Sequence, residues 1–264
     1  MTEKRLRPTK TISTKTISYL SEKMCEKMCE KIKGAAYANI VNAVKNDKAA
    51  AEQVVADSYY ILHVQQEFGD YCKIISGEYK AEKGLYDICE ELRPFCDATS
   101  RILSKKNVQF AYAVPESPIY VLIDCSEIRQ ALSAMVLNSI EHIKLGGKIE
   151  VRVEETARTV KISVHDNGDG MDKETLSRCM EPFFSGRIAS GNKQPLGLGL
   201  TLARYYVQDC GGRIRIKSFD KKATHAEIII PKPKGFSVDE VRSVPKSLAG
   251  YDDSEIERAM ALIL

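Results

Sequence analysis

The chain lacks any run of about 18 consecutive apolar residues, so no segment is expected to span a bilayer. No apolar stretch stands behind its first residues either, so no signal peptide is expected. Charge of one sign is also missing: 39 Lys and Arg are interspersed with 36 Asp and Glu, and the net charge is +3. That balance gives no electrostatic ground for a nucleic-acid partner. The one uneven stretch is the start, where Lys4, Arg5, Arg7 and Lys10 meet only Glu3, as in a solvated tail. Histidine is scarce, with only His63, His142, His165 and His225 in the whole chain.

Cysteine is present, at positions 25, 29, 72, 89, 96, 125, 179 and 210, but it is scattered and mostly inside apolar patterns. Buried free thiols and a cytoplasmic location are the expectation. Cys25 and Cys29 are one helical turn apart and could share a metal, yet no His or second cysteine pair lies near them.

Apolar residues recur every three or four positions at Ile17, Leu20, Met24, Met28, Ile32, Ile40 and Val44, which predicts a long amphipathic helix after a disordered basic tail over 1–16. Short duplications, TKTIS at 9–13 and 14–18 and MCEK at 24–27 and 28–31, are too brief for a repeat architecture. Asn46-Asp47 interrupts the pattern, and a second helix is expected from Ala49 to about Ile75, with Val54, Ile61, Phe68 and Cys72 on one side. A hairpin over 17–80 leaves an apolar stripe uncovered, so a second copy is its expected partner, in a homodimeric four-helix bundle through residues 17–75.

Further on, Leu85–Ser104 has helical spacing despite Pro94, and residues 108–114 and 120–123 alternate or cluster as strands. A helix is expected over 126–143, a strand pair at 148–154 and 160–165, and a helix near 173–179. Another helix follows at 200–209, then strands at 213–218 and 225–230. Helices and antiparallel strands in this order predict an α+β fold, a two-layer α/β sandwich over 89–232. Pro231 and Pro233 close it, and a tail with a short helix at 254–264 fills 233–264.

Three local patterns carry chemistry. Asn138 is a polar residue among Leu132, Met135, Val136 and Ile140; it is either a solvated residue near a helix end or a neutral oxygen ligand for a hard cation such as Mg2+. The run Asp166-Asn167-Gly168-Asp169-Gly170-Met171 follows a strand. It is either a plain turn or a place where a carboxylate accepts an exocyclic amine while glycines let backbone approach a flat ligand. Gly197-Leu198-Gly199-Leu200 opens a helix, where unpaired backbone N–H groups attract phosphate. Between the last two, Glu181-Pro182-Phe183-Phe184 precedes a small, polar stretch up to Pro195, as expected of a lid. Arg187 and Lys193 there are within reach of phosphates or simply solvated.

Asn138, DNGDGM, EPFF and GLGL, in this order and spacing, resemble the ATP-binding domain of sensor histidine kinases, whose fold is shared with gyrase, MutL and the heat-shock chaperone. The resemblance implies ATP and Mg2+ as ligands. It implies a nucleotide site built from Asn138, Glu141, His142, Asp166, Gly168, Gly170, Met171, Phe183, Phe184, Arg187, Gly197, Leu198, Gly199 and Leu200. In that site Asn138 would hold the metal, Asp166 the adenine amine, the two phenylalanines the lid, and Gly197 to Leu200 the phosphates. It also implies a response regulator or phosphotransfer protein as partner, with the hairpin similar to the dimerisation domain of such kinases.

Four departures qualify the resemblance. Ala134 stands where family members that hydrolyse ATP carry a glutamate, so a water-activating base is missing there. Pro195 replaces the first glycine of the lid-closing motif, and Ala223 replaces a glycine near the end of the domain. The usual phosphoacceptor histidine would fall near Lys23, and no histidine lies in the first helix. His63, on the second, reads as an ordinary packed or surface residue. The chain is therefore expected to be a kinase with an unusual acceptor, or a pseudokinase that binds ATP without transfer, rather than an ATP hydrolase.

Overall fold

Three helices of the domain, starting at Ile88, Cys125 and Lys173, begin where an aspartate accepts from the backbone N–H groups that a helix start leaves unpaired. In the computed structural model, which describes Lys27 and residues 48–105, 107–143, 146–185, 196–219 and 222–242, Asp124 does this for the central helix. Its carboxylate accepts from the N–H of Ser126 and Glu127 and from the Ser126 hydroxyl, and its other oxygen accepts from Glu82 N–H.

The elements in chain order are α1 (Lys48–Ser76), β1 (Gly84–Asp87), α2 (Ile88–Lys105), β2 (Gln109–Ala113), β3 (Tyr120–Ile123), α3 (Cys125–His142), β4 (Lys148–Glu155) and β5 (Thr159–Asp166). They continue with α4 (Lys173–Arg178), α5 (Gly199–Asp209), β6 (Arg213–Phe219) and β7 (Ala223–Pro231). The basic tail, the first hairpin helix with Cys25 and Cys29, the lid residues Arg187, Lys193 and Pro195, and the C-terminal helix lie outside the described residues.

One expectation needs correcting. Residues 84–87 are not the first turn of a helix but a strand, paired antiparallel with β3 from Gly84↔Ile123 to Asp87↔Tyr120. The reason is local: Asp87 Oδ1 accepts from Cys89 N–H at 3.0 Å and from Ile119 N–H at 2.9 Å, which starts the helix at Ile88 and ties it to the strand. Helical spacing in Leu85 and Ile88 could not show this, because the partner strand is over thirty residues away. The helix runs through Pro94 without ending.

The main sheet has five strands in the order β2-β4-β5-β7-β6, with β2 parallel to β4 and the other pairs antiparallel. Ile149, Val151 and Val153 of β4, Val160, Ile162 and Val164 of β5, and Ala226, Ile228 and Ile230 of β7 are buried on one face. Against that face pack Leu92, Phe95 and Ile102 of α2, Ile128, Leu132 and Met135 of α3, and Ala203 and Val207 of α5. Charged residues alternate with these strand positions, as period two requires. The domain is thus the expected α+β sandwich with a mixed sheet.

A second apolar cluster joins α1 to this layer. Tyr60 and Val64 pack with Leu196, Leu198, Leu202 and Tyr206, flanked by Phe68, Tyr71 and Phe183. The Tyr206 hydroxyl, buried in that contact, donates to Asp70 of α1 at 3.1 Å.

Behind that contact, Glu127 of α3 is fully buried. Burial, with Asp209 and Asp124 alongside, raises its carboxyl to about 7, against which Tyr79 and Cys210 offset only part. Because the folded value exceeds the unfolded 4.5, the folded chain retains a proton there that the unfolded chain gives up. The associated stability is complete below about pH 4.5 and is lost as pH rises through about 7. Glu127→Gln imitates the protonated form, so its urea stability should no longer fall across that window. It should exceed that of the parent chain above it by on the order of 1–3 kcal/mol. Parallel pH-dependent declines in both proteins would show that Glu127 is not responsible.

Candidate nucleotide site

Two elements meet end to end to form the site: the C-terminal half of α3 and the loop that leaves β5. Asp166, the last residue of β5, is 1% exposed. Its Oδ2 accepts from the Ser139 hydroxyl of α3 at 2.8 Å. Its Oδ1 accepts from Gly168 N–H at 2.9 Å and from Thr224 N–H of β7 at 3.3 Å. A carboxylate has about four acceptor positions, so roughly one is left for a ligand donor. Ser139 is the functional residue the sequence reading missed. Its signal was a hydroxyl on the core-facing side of a helix, between Met135, Val136 and Ile140, where a buried O–H must find an acceptor.

The loop is pressed against the end of α3. Asp169 N–H donates to the carbonyl of His142 at 3.0 Å. A Cβ added to Gly168 would lie 2.5 Å from that same carbonyl oxygen, so only glycine allows the approach. Gly170 has φ +67°, and a Cβ there would lie 2.1 Å from the backbone oxygen of Phe219. Met171 is buried and its N–H donates to the Ser218 hydroxyl at 2.7 Å. The DNGDGM box is therefore wedged between α3 and the β6–β7 hairpin, and both of its glycines are sterically required.

The other two boxes lie on either side of residues 186–195 and contact each other. Phe183 N–H donates to the carbonyl of Gly197 at 2.9 Å, and a Cβ on Gly197 would lie 2.5 Å from the carbonyl oxygen of Phe184. Phe183 takes a positive φ of 63° and sets its ring edge-on to Tyr71 of α1, with centroids 5.3 Å apart. Phe184 lies beneath the Arg178 guanidinium, 4.4 Å from its ring centroid. EPFF and GLGL thus pinch the chain together on either side of residues 186–195.

Leu198 and Leu200 turn their side chains away from any ligand. Leu198 is wholly buried beside Tyr60 and Val64, and Leu200 packs against the main core. What the GLGL box offers outward is backbone. Gly199 begins α5, and its Cβ position would meet Ala134 Cβ of α3 at 3.5 Å and Glu67 Oε1 of α1 at 3.2 Å. Ala134 is one turn before Asn138, so the half-buried Asn138 lies on α3 between the start of α5 and the Asp166 loop. Glu141 and His142 occupy the last turn of the same helix.

Asn138 suits Mg2+. It presents a neutral oxygen, and among the described residues no group of three or more His, Cys, Asp and Glu is placed to hold a metal ion without help. An ion there would rely on phosphate oxygens for most of its shell, which is how magnesium usually binds.

The family model for histidine kinase-, DNA gyrase B- and HSP90-like ATPases matches residues 123–234. This ATPase domain is similar to that of sensor protein KdpD of Clostridium acetobutylicum, 25% identical over 206 residues, 76% of this chain and 23% of that protein. Sporulation kinase D of Bacillus subtilis is 27% identical over 184 residues, 66% of this chain and 35% of that one. The chain therefore spans about a quarter to a third of the length of these curated relatives. The solved catalytic domain of histidine kinase ThkA covers 57% of the chain and 98% of its own length at 26% identity and a TM-score of 0.50. ThkA in complex with response regulator protein TrrA covers 84% of the chain and 63% of its own at 19% identity and a TM-score of 0.60, a likeness of fold. No described helix of the chain is long and apolar enough to cross a membrane.

Gly168→Ala should lower stability by roughly 1–3 kcal/mol in urea unfolding, the range for a core clash, because the loop after β5 must leave α3. Gly69→Ala, at a helical position with nothing within 4 Å, is the control and should be neutral or stabilising. Equal stability of the Gly168→Ala and parent chains would mean that the loop does not hold this close approach.

Proposed function

We propose that this chain binds Mg2+·ATP in the cleft between Asn138 and Asp166 and transfers the γ-phosphate to a protein side chain in two-component signalling. The observation that carries the reading is the convergence of four separated boxes around α3, with a buried, hydrogen-bonded carboxylate at one end and an uncapped helix start at the other. Asp166 would accept the adenine amine. Gly168 and Gly170 would give the flat base room, and Gly199 with its neighbours would present backbone N–H groups to the phosphates. When bound at Asn138, magnesium would neutralise phosphate charge. The protein's share of catalysis is then positioning and the exclusion of water beneath the lid, to which Arg187 would add charge.

Ala134 favours transfer over hydrolysis. Its methyl group stands beside Gly199, at the phosphate end of the cleft, so no carboxylate from that position can activate a water. A response regulator or phosphotransfer protein as final acceptor is supported by the likeness to ThkA, which has been solved with its response regulator. A homodimer through residues 17–75 rests on the sequence pattern of the hairpin and on α1, which exists as expected. A cytoplasmic site of action is consistent with six free thiols among the described cysteines.

Asn138→Ala should abolish magnesium-dependent nucleotide binding while circular dichroism shows an intact fold. ATP titration of the variant with and without magnesium checks this, and a parent-like magnesium response removes Asn138 from the metal site. Asp166→Asn should weaken ATP by roughly 1–3 kcal/mol, the scale of a buried hydrogen bond to a charged group. It should weaken GTP less, because guanine offers no amine at that position. Equal loss for both nucleotides would assign Asp166 to structure alone.

A further inference from the structure

The structure returns attention to His63. Helix α1 lays three residues, Tyr60, His63 and Glu67, along one stripe at steps of three and four. At one end, the Glu67 carboxylate sits against Gly199, the first residue of α5, and Gly199 also faces Ala134 of α3. At the other end, Tyr60 lies in the field of Glu67 and of Glu141 of α3. Ala134 and Glu141 flank Asn138 on α3, one turn before and one turn after it. His63 lies between Tyr60 and Glu67 on this stripe, the side of α1 that meets α3 and the start of α5. Its side chain is 38% exposed, and its Nε2 is 3.5 Å from Glu67 Oε1.

The other three histidines are placed elsewhere. His165 and His225 face each other across β5 and β7, centroids 5.8 Å apart, on the sheet face opposite the helices. His142 ends α3 at the Asp166 loop, where an adenine rather than a phosphate would lie.

We propose that His63 is the phosphoacceptor of this chain, receiving the γ-phosphate of ATP bound in its own cleft, with Glu67 as its positioning residue. The inference rests on the nucleotide site described above. With Nε2–H donated to Glu67, the lone pair of the neutral imidazole is on Nδ1. That pair forms a bond to the γ-phosphorus as the bond from phosphorus to the β,γ-bridging oxygen breaks, and ADP leaves with its electrons. The proton on Nε2 passes to Glu67 and then to water. An ATP tetra-anion and a neutral imidazole become an ADP trianion, a phosphoimidazole dianion and one proton. Glu67 offsets the positive charge that develops on the ring during transfer, as a carboxylate does for other activated histidines.

The test uses the whole chain with magnesium and γ-labelled ATP. The expected product is a label that survives alkali, is lost in acid, and maps by mass spectrometry to the peptide containing residue 63. His63→Gln should reduce labelling to background while it binds a fluorescent ATP analogue as the parent does. Glu67→Gln should slow labelling about 100-fold, the scale of a lost acid–base partner, without raising the half-saturating ATP concentration. Label on any other residue overturns the acceptor assignment and leaves the kinase reading standing. So does an unlabelled chain that still phosphorylates an added receiver domain. A chain that binds ATP and labels nothing overturns both.

Discussion

Asp166 is a nearly fully buried carboxylate that takes hydrogen bonds from a side chain on α3, from the loop that follows it and from the backbone of β7. A buried charge with unfilled acceptors is costly, so these donors must stay in place for the domain to fold. The requirement fixes the geometry around it. Ser139 must point at Asp166, which orients the last two turns of α3 and so sets where Asn138, Glu141 and His142 can be. Gly168 must lie against the His142 carbonyl, which sets the path of the loop. One electrostatic constraint thus ties the expected metal ligand to the expected adenine acceptor.

The phosphate end is organised differently, by apolar packing rather than hydrogen bonds. Leu196, Leu198, Leu202 and Tyr206 bury themselves against Tyr60 and Val64 of α1. A cluster of that kind contributes about 1.5–3 kcal/mol for each fully buried side chain, enough to hold a helix in register but not to weld it. Gly199 starts α5 half-buried and without a side-chain cap, because its neighbour Leu198 turns into that cluster. The same packing brings Glu67, the partner of His63, against Gly199. Movement of α1 would therefore alter the phosphate end while the Asp166 end stays fixed.

Most of the domain was legible in the chain. The capping Asp124, the apolar period of α3, the alternation in β4, β5 and β7 and the glycines before α5 all act locally, within a turn or a strand. The four boxes were legible as well, because each needs particular residue types at short spacing: two glycines that tolerate no Cβ, a carboxylate at a strand end, two aromatics at a pinch. The misread segment, Gly84–Asp87, failed for the opposite reason. Its structure depends on a strand more than thirty residues away, and four residues of mixed polarity carry no period of their own.

The sequence alone determined which donors and acceptors are present at the candidate site, since residue identity decides what can accept an amine, hold a hard cation or leave a helix start open. It could not settle which distant groups face one another. Ser139 became the partner of Asp166, and Ala134 and Glu67 the neighbours of Gly199, only when helices packed on a sheet, because side-chain proximity across elements is set by the burial of apolar faces, a property of the whole layer and not of any one segment.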